Sequence, residues 1–138
     1  MKKTDILDVA SRKLAPYMFL FGFYLVTYGD VSPGGGFQGG VVIASGVILI
    51  AMAKSAHAAE RFFPTARLAL SEAITFALIL AVGLAGLLVG GRFLADFLAD
   101  TDSSIFLRAP FIFTLNVLIG VKVAAGVSLI CLHLFQEG

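Results

Sequence analysis

The sequence is poor in the residues that build disulfides, metal centres and charged surfaces. It has one cysteine, two histidines, four prolines and no tryptophan in 138 residues, and only 14% of its residues are charged. A single cysteine permits no internal disulfide and no thiolate-ligated zinc or iron–sulfur site. Two histidines favour no metal site either, so we expect neither a metal nor another cofactor. The net charge of +1 gives no reason to expect nucleic-acid binding.

Long apolar runs occupy the chain instead. Hydrophobic residues make up 59% of it, and a helix of roughly 20 such residues crosses an apolar bilayer core about 30 Å thick. We therefore predict an all-α integral membrane protein consisting of one transmembrane domain over residues 1–138. Its fold is expected to be a bundle of four transmembrane helices with a Gly-rich junction between helices 1 and 2. The spans are predicted at about residues 12–29, 33–53, 70–91 and 109–135.

The first of these runs is short. Only residues 14–29 are uncharged, fewer than a full span requires. Either the helix also includes residues 8–13, with their charges at the headgroups, or the junction that follows dips below the membrane surface. No cleavage site of small residues follows the run, so we expect this span to be retained.

Basic residues are unevenly distributed between the ends of the spans. Four lie in the N-terminal segment, residues 1–13, and three in residues 54–67, which we interpret as a polar turn, whereas the other two connections carry none and two. The positive-inside rule then places both termini in the cytoplasm. The junction between helices 1 and 2 would face outward.

That junction is the most unusual stretch of the sequence. It consists of Ser32, Pro33, Gly34, Gly35, Gly36, Phe37, Gln38, Gly39 and Gly40. A serine N-cap followed by proline at the first helical position predicts that a helix begins here. Because glycine in a helix interior costs roughly 1 kcal/mol, so many small residues need a close packing partner.

Two ligand-binding interpretations of the junction are weaker than packing. Gly34, Gly36 and Gly39 match the G-x-G-x-x-G spelling, but the dinucleotide motif follows a strand of a βαβ unit rather than a membrane-length run. The free N–H groups near Gln38 carry partial positive charge that could hold an anion or a partner's carboxylate. Ordered packing of the junction is favoured over both.

Lys122 lies near the middle of the fourth predicted span, where an ionisable side chain costs at least about 2.5 kcal/mol to insert. It could belong to an ion path or to a structural ion pair, and its counter-charge would come from Glu72 or from another subunit. Glu72 itself is interpreted first as an interfacial charge and second as a proton-path carboxylate. Asn116 lies about 120° from Lys122 around the helix, so the two face different neighbours. For Asn116 a helix–helix hydrogen bond is favoured over an ion-ligand role.

The motif SPGGGFQGGVV, residues 32–42, resembles the MnhB/MrpB-type subunit of multisubunit monovalent cation/proton (Mrp-type) antiporters. The resemblance extends to the size, the four-span layout and the pattern Asn116…Gly120–Val121–Lys122. It also applies to the antiporter-like module of membrane-bound hydrogenases.

This resemblance implies a non-catalytic subunit that packs against other membrane subunits in a prokaryotic inner membrane, with Na⁺ and H⁺ as the ions that the complex moves. An alternative is the same role in the membrane arm of a redox-driven complex such as a membrane-bound hydrogenase. A third hypothesis is an independent small carrier that works as a homo-oligomer.

Overall fold

In the computed structural model, residues 5–29, 31, 34–94 and 110–137 are described, without the side chain of Ala56. Within these ranges the chain is helical and contains no strand. The helices are α1 (Asp5–Thr27), α2 (Gly35–Lys54), α3 (Ala56–Phe62), α4 (Thr65–Gly90) and α5 (Pro110–Glu137). The predicted all-α class is confirmed.

The four long helices lie side by side in the order α1, α2, α5, α4. α1 packs on α2, α2 on α5, and α5 on α4. Gly22 of α1 lies opposite Gly39 of α2, and Phe19, earlier in α1, faces Gly46, later in α2. The two helices are therefore antiparallel. This order places α5 between α2 and α4 and gives it contacts to all the other helices.

In the part of the chain that the structure describes, three helices are long and apolar enough to cross a membrane, namely α2, α4 and α5. They correspond to the second, third and fourth predicted spans. α1 is a single helix of 23 residues, but its first turns contain Asp5, Asp8, Arg12 and Lys13, and it is not among these candidates. A bundle of four transmembrane helices is therefore not confirmed, and the role of α1 as a span remains a prediction.

The prediction of a polar turn over residues 54–67 is wrong in one respect, because this stretch contains the short helix α3. The hydroxyl of Ser55 accepts a hydrogen bond from the backbone N–H of Ala58 at 3.3 Å, which is an N-cap contact. Alanine, the strongest helix former, occupies several of the following positions, and Pro64 prevents continuation of the helix into α4.

A cluster of buried side chains closes the bundle at the α3 end. Its members come from three helices: Val47, Ala51, Ala59 and Leu132. Phe19 and Phe63 pack against it with their ring centroids 6.2 Å apart. Nearby, the carboxylate of Glu60 accepts hydrogen bonds from Thr65 at 3.1 Å and from Gln136 at 3.0 Å. These contacts join α3 to the start of α4 and the end of α5.

Candidate functional site

The glycine-rich part of α2 is packed between two helices of this chain. A Cβ atom at Gly40 would lie 2.7 Å from the carbonyl oxygen of Gly120 and 2.8 Å from the Cβ of Val123, both on α5. On the other side, a Cβ at Gly39 would lie 2.7 Å from the carbonyl oxygen of Gly22 on α1. The close packing partner that the sequence calls for is thus supplied on both sides by the chain itself.

The start of α2 depends on glycine for its backbone conformation. Gly34 is the N-cap residue and the helix begins at Gly35, with positive φ angles of 143° and 78°. Residues that carry a side chain rarely adopt such backbone angles, whereas glycine does so readily. The predicted cap at Ser32 and first helical position at Pro33 lie outside the described residues. Phe37 and Gln38 are exposed, so they do not contribute to the buried glycine contacts.

Asn116 lies at this junction and not near Lys122. A Cβ added at Gly29 would meet its Nδ2 atom at 2.8 Å, and one added at Gly36 would collide with its backbone carbonyl oxygen. Asn116 therefore faces the α1–α2 junction, whereas Lys122 faces α4. Asn116 and Lys122 therefore belong to different contacts.

Lys122 and Glu72 form an ion pair between α5 and α4. The Nζ atom of Lys122 lies 3.3 Å from Oε1 of Glu72 and 5.5 Å from the centre of the Phe76 ring, within the range of a cation–π contact. Gly126 lies beside the carboxylate, since a Cβ there would be in ordinary van der Waals contact with Oε1, at 3.4 Å. Of the two sources of counter-charge that the sequence leaves open, the structure supplies Glu72.

The ion pair lies at the side of the bundle and not in its centre. The Lys122 and Glu72 side chains are 33% and 36% exposed. They line an open recess of about 370 Å³ together with Ala69, Ala73 and Phe76. A charge pair in this position can hold two helices together, bind a polar group from outside, or exchange protons with a neighbouring path.

A second cavity offers a different environment. A cavity of about 330 Å³ lies between α1, α2, α4 and α5. Its wall is almost entirely apolar, and two of its hydroxyl groups, those of Thr27 and Ser71, donate to carbonyl oxygens of their own helices. Because such a space gives an ion no ligands, the Lys122–Glu72 recess is the better candidate site.

Phe76 and the alanines beside the ion pair were not singled out from the sequence. The signal is nonetheless present, because Phe76 lies four residues after Glu72 and shares its helix face. The contact of Phe76 with the Lys122 ammonium could not be predicted, because it depends on a long-range contact between α4 and α5.

These features define an all-helical membrane protein whose one ion pair between long helices, among the described residues, opens to the side. The family model described as "Domain related to MnhB subunit of Na+/H+ antiporter" matches residues 6–129. The chain belongs to this MnhB family, as its glycine-rich motif predicts.

Three similar proteins illustrate the family. An uncharacterised protein of Methanocaldococcus jannaschii is 33% identical over 131 residues, covering 91% of this chain and 50% of that protein. A Na(+)/H(+) antiporter subunit of Alkalihalophilus pseudofirmus is 30% identical over 100 residues, covering 70% of this chain and 67% of that subunit. The Na(+)/H(+) antiporter subunit of the same type from Bacillus subtilis is 34% identical over 59 residues, covering 43% of this chain and 41% of that subunit. The chain thus spans half of the Methanocaldococcus protein and part of each bacterial subunit.

Proposed function

We propose that this chain is a non-catalytic membrane subunit of a multisubunit Na⁺/H⁺ antiporter complex in a prokaryotic cell membrane. The observation that carries the proposal is the match of residues 6–129 to the MnhB domain. The names of the two bacterial relatives support it. Other membrane subunits, the lipid bilayer, Na⁺ and H⁺ are then its partners.

In this proposal α1 is a fourth span. It packs along α2 in the antiparallel direction, and residues 14–27 present large apolar side chains to the outside, among them Leu20 and Phe23. At 1.5 Å per residue these 14 residues cover about 21 Å, so the charged turn before them must reach the headgroups to span a core of about 30 Å. The ion pair between Arg12 and Asp8, at 2.9 Å, suits that position.

The positive-inside rule then places the N-terminus, α3 and the C-terminus on the cytoplasmic side. The α1–α2 junction lies on the outer side. Four spans return the chain to the side on which it starts, which agrees with this arrangement.

For the ion pair we propose a place along an ion path that this chain shares with another subunit. The support is its position at the side of α4 and α5, where a third of each charged side chain is exposed. The competing role is structural, with Lys122 and Glu72 serving only to hold the two helices together.

A double variant separates these two roles. Replacing Lys122 by Met alone leaves the carboxylate of Glu72 unpaired, a change that costs about 3–5 kcal/mol at a fully buried site and less at this partly exposed one. Lys122→Met combined with Glu72→Gln removes both charges and the penalty. We expect the double variant to assemble and to lose cation-driven proton movement in inverted vesicles. Assembly with full antiport would show that the pair is only structural.

The proposed complex is tested by gentle solubilisation, purification through a tag on this chain and mass spectrometry of the chains that accompany it. Recovery of antiporter subunits alone supports the proposal. Nickel–iron and iron–sulfur proteins among them would indicate a redox-driven complex instead. Recovery of this chain alone would indicate an independent carrier.

A further inference from the structure

The hydrogen-bonding capacity of the Lys122–Glu72 pair is only partly used. A lysine ammonium has three N–H donors and a carboxylate has two acceptor oxygens. Within the described part of the chain, the Lys122 ammonium meets Oε1 of Glu72 and the Phe76 ring. Both side chains line the open recess and are about one third exposed, at 33% for Lys122 and 36% for Glu72. In a hydrocarbon environment, polar atoms without partners are costly, so something polar is expected to occupy the recess.

From the recess, a row of small side chains continues along the exposed face of α4. We call it the alanine groove and define it by four exposed alanines: Ala69, Ala73, Ala77 and Ala81. Residues four apart form one row along a helix. A row of small side chains lets the backbone of another membrane helix approach closely. Ala69 and Ala73 also line the recess, so groove and ion pair are continuous.

Large apolar side chains border the alanine groove on both sides. One row consists of Leu70, Ile74 and Leu78, and the other of Phe76, Leu80 and Leu84; all six are exposed. A groove between two such rows accepts the ridge of a second helix, and membrane helices that pack through small residues commonly cross at about −40°. The shape of this face therefore fits a helix.

We propose that a transmembrane helix of a neighbouring subunit docks in the alanine groove and places one polar side chain in the recess. That side chain must accept a hydrogen bond from Lys122 and donate one to Oε2 of Glu72. An amide, a hydroxyl or a protonated carboxyl group does both. The inference rests on the proposed function in one respect, namely that the chain works as part of a membrane complex.

Site-specific cross-linking tests the docking face. In a Cys131→Ser background, Ala77→Cys in the groove is labelled with a photoactivatable thiol reagent in membranes that contain the intact complex. Ile130→Cys serves as the matched control, because Ile130 lies on α5, is 61% exposed and is outside the groove. We expect the Ala77 probe to give one adduct with a transmembrane segment of another subunit, and the Ile130 probe not to give that adduct.

The sequence of the cross-linked segment tests the polar contact, since it must contain an amide, hydroxyl or carboxyl side chain; an entirely apolar segment would overturn this part. An adduct between two copies of this chain, or labelling of lipid alone, would overturn the docking proposal. As a second measurement, Ala77→Leu fills the groove and should cause loss of the cross-linked subunit from the purified complex. If the partner belongs to a redox-driven complex, the antiporter assignment fails while the docking face stands.

Discussion

Replacing Gly40 by alanine should destabilise the protein, although alanine is the better helix former. The added Cβ would lie 2.7 Å from the carbonyl oxygen of Gly120 and 2.8 Å from the Cβ of Val123. Ordinary contacts of a Cβ begin at 3.4 Å, so α2 and α5 must separate by about 0.7 Å (3.4 − 2.7). Neither neighbour can yield alone, because one is backbone and the other is a β-branched side chain with a restricted χ1 angle in a helix.

Gly46→Ala is the matched control. It makes the same change in the same helix, but its Cβ would meet the ring of Phe19, at 3.0 Å from the nearest ring atom. A ring at the end of a side chain can shift by a few tenths of an ångström. Both variants gain about 1 kcal/mol of helix propensity, so this gain cancels when the two are compared.

The difference between the two variants then measures the clash. Overpacking of a well-packed contact typically costs 1–3 kcal/mol, so we expect Gly40→Ala to be less stable than Gly46→Ala by about that amount. The assay is reversible unfolding in mixed micelles, followed by circular dichroism. Equal stability of the two variants, or greater stability of Gly40→Ala, would refute the close approach of α2 and α5.

Three further predictions concern other parts of the chain. Single cysteines introduced in a cysteine-free background should react with an impermeant reagent from outside at Val31 and only from inside at Thr4; outside labelling at Thr4 would reverse the topology. Ser55→Ala should reduce stability by about 1 kcal/mol through loss of the α3 cap, and Ser55→Asn, which keeps a side-chain acceptor and tolerates the positive φ of 139° at this position, should retain most of it. Ala59→Leu should reduce stability by about 1–3 kcal/mol, since Ala59 is fully buried, whereas Ala66→Leu at an exposed position of α4 should change it little; equal effects of the two changes would argue against the buried cluster.

The sequence by itself determined the helical class, three helices of membrane length and the family. These properties depend on local composition: an apolar run of sufficient length is helical in a bilayer whatever surrounds it, because its backbone has no water to bond with. The glycine-rich junction likewise predicts a close contact wherever it occurs. The same local reasoning did not predict α3, because its polar and charged residues are typical of a turn. One capping serine and a few alanines are nevertheless enough to form this short helix.

Only the tertiary structure decided which helices meet. Lys122 and Glu72 are 50 positions apart, and whether they pair depends on α4 lying next to α5 and on the rotation of both helices about their axes. Neither quantity is encoded in a local pattern, since each helix is apolar around most of its circumference and could pack in several orientations. The same holds for Gly40, whose need for a neighbour is evident in the sequence, while the identity of that neighbour, α5, follows from the order in which the helices pack.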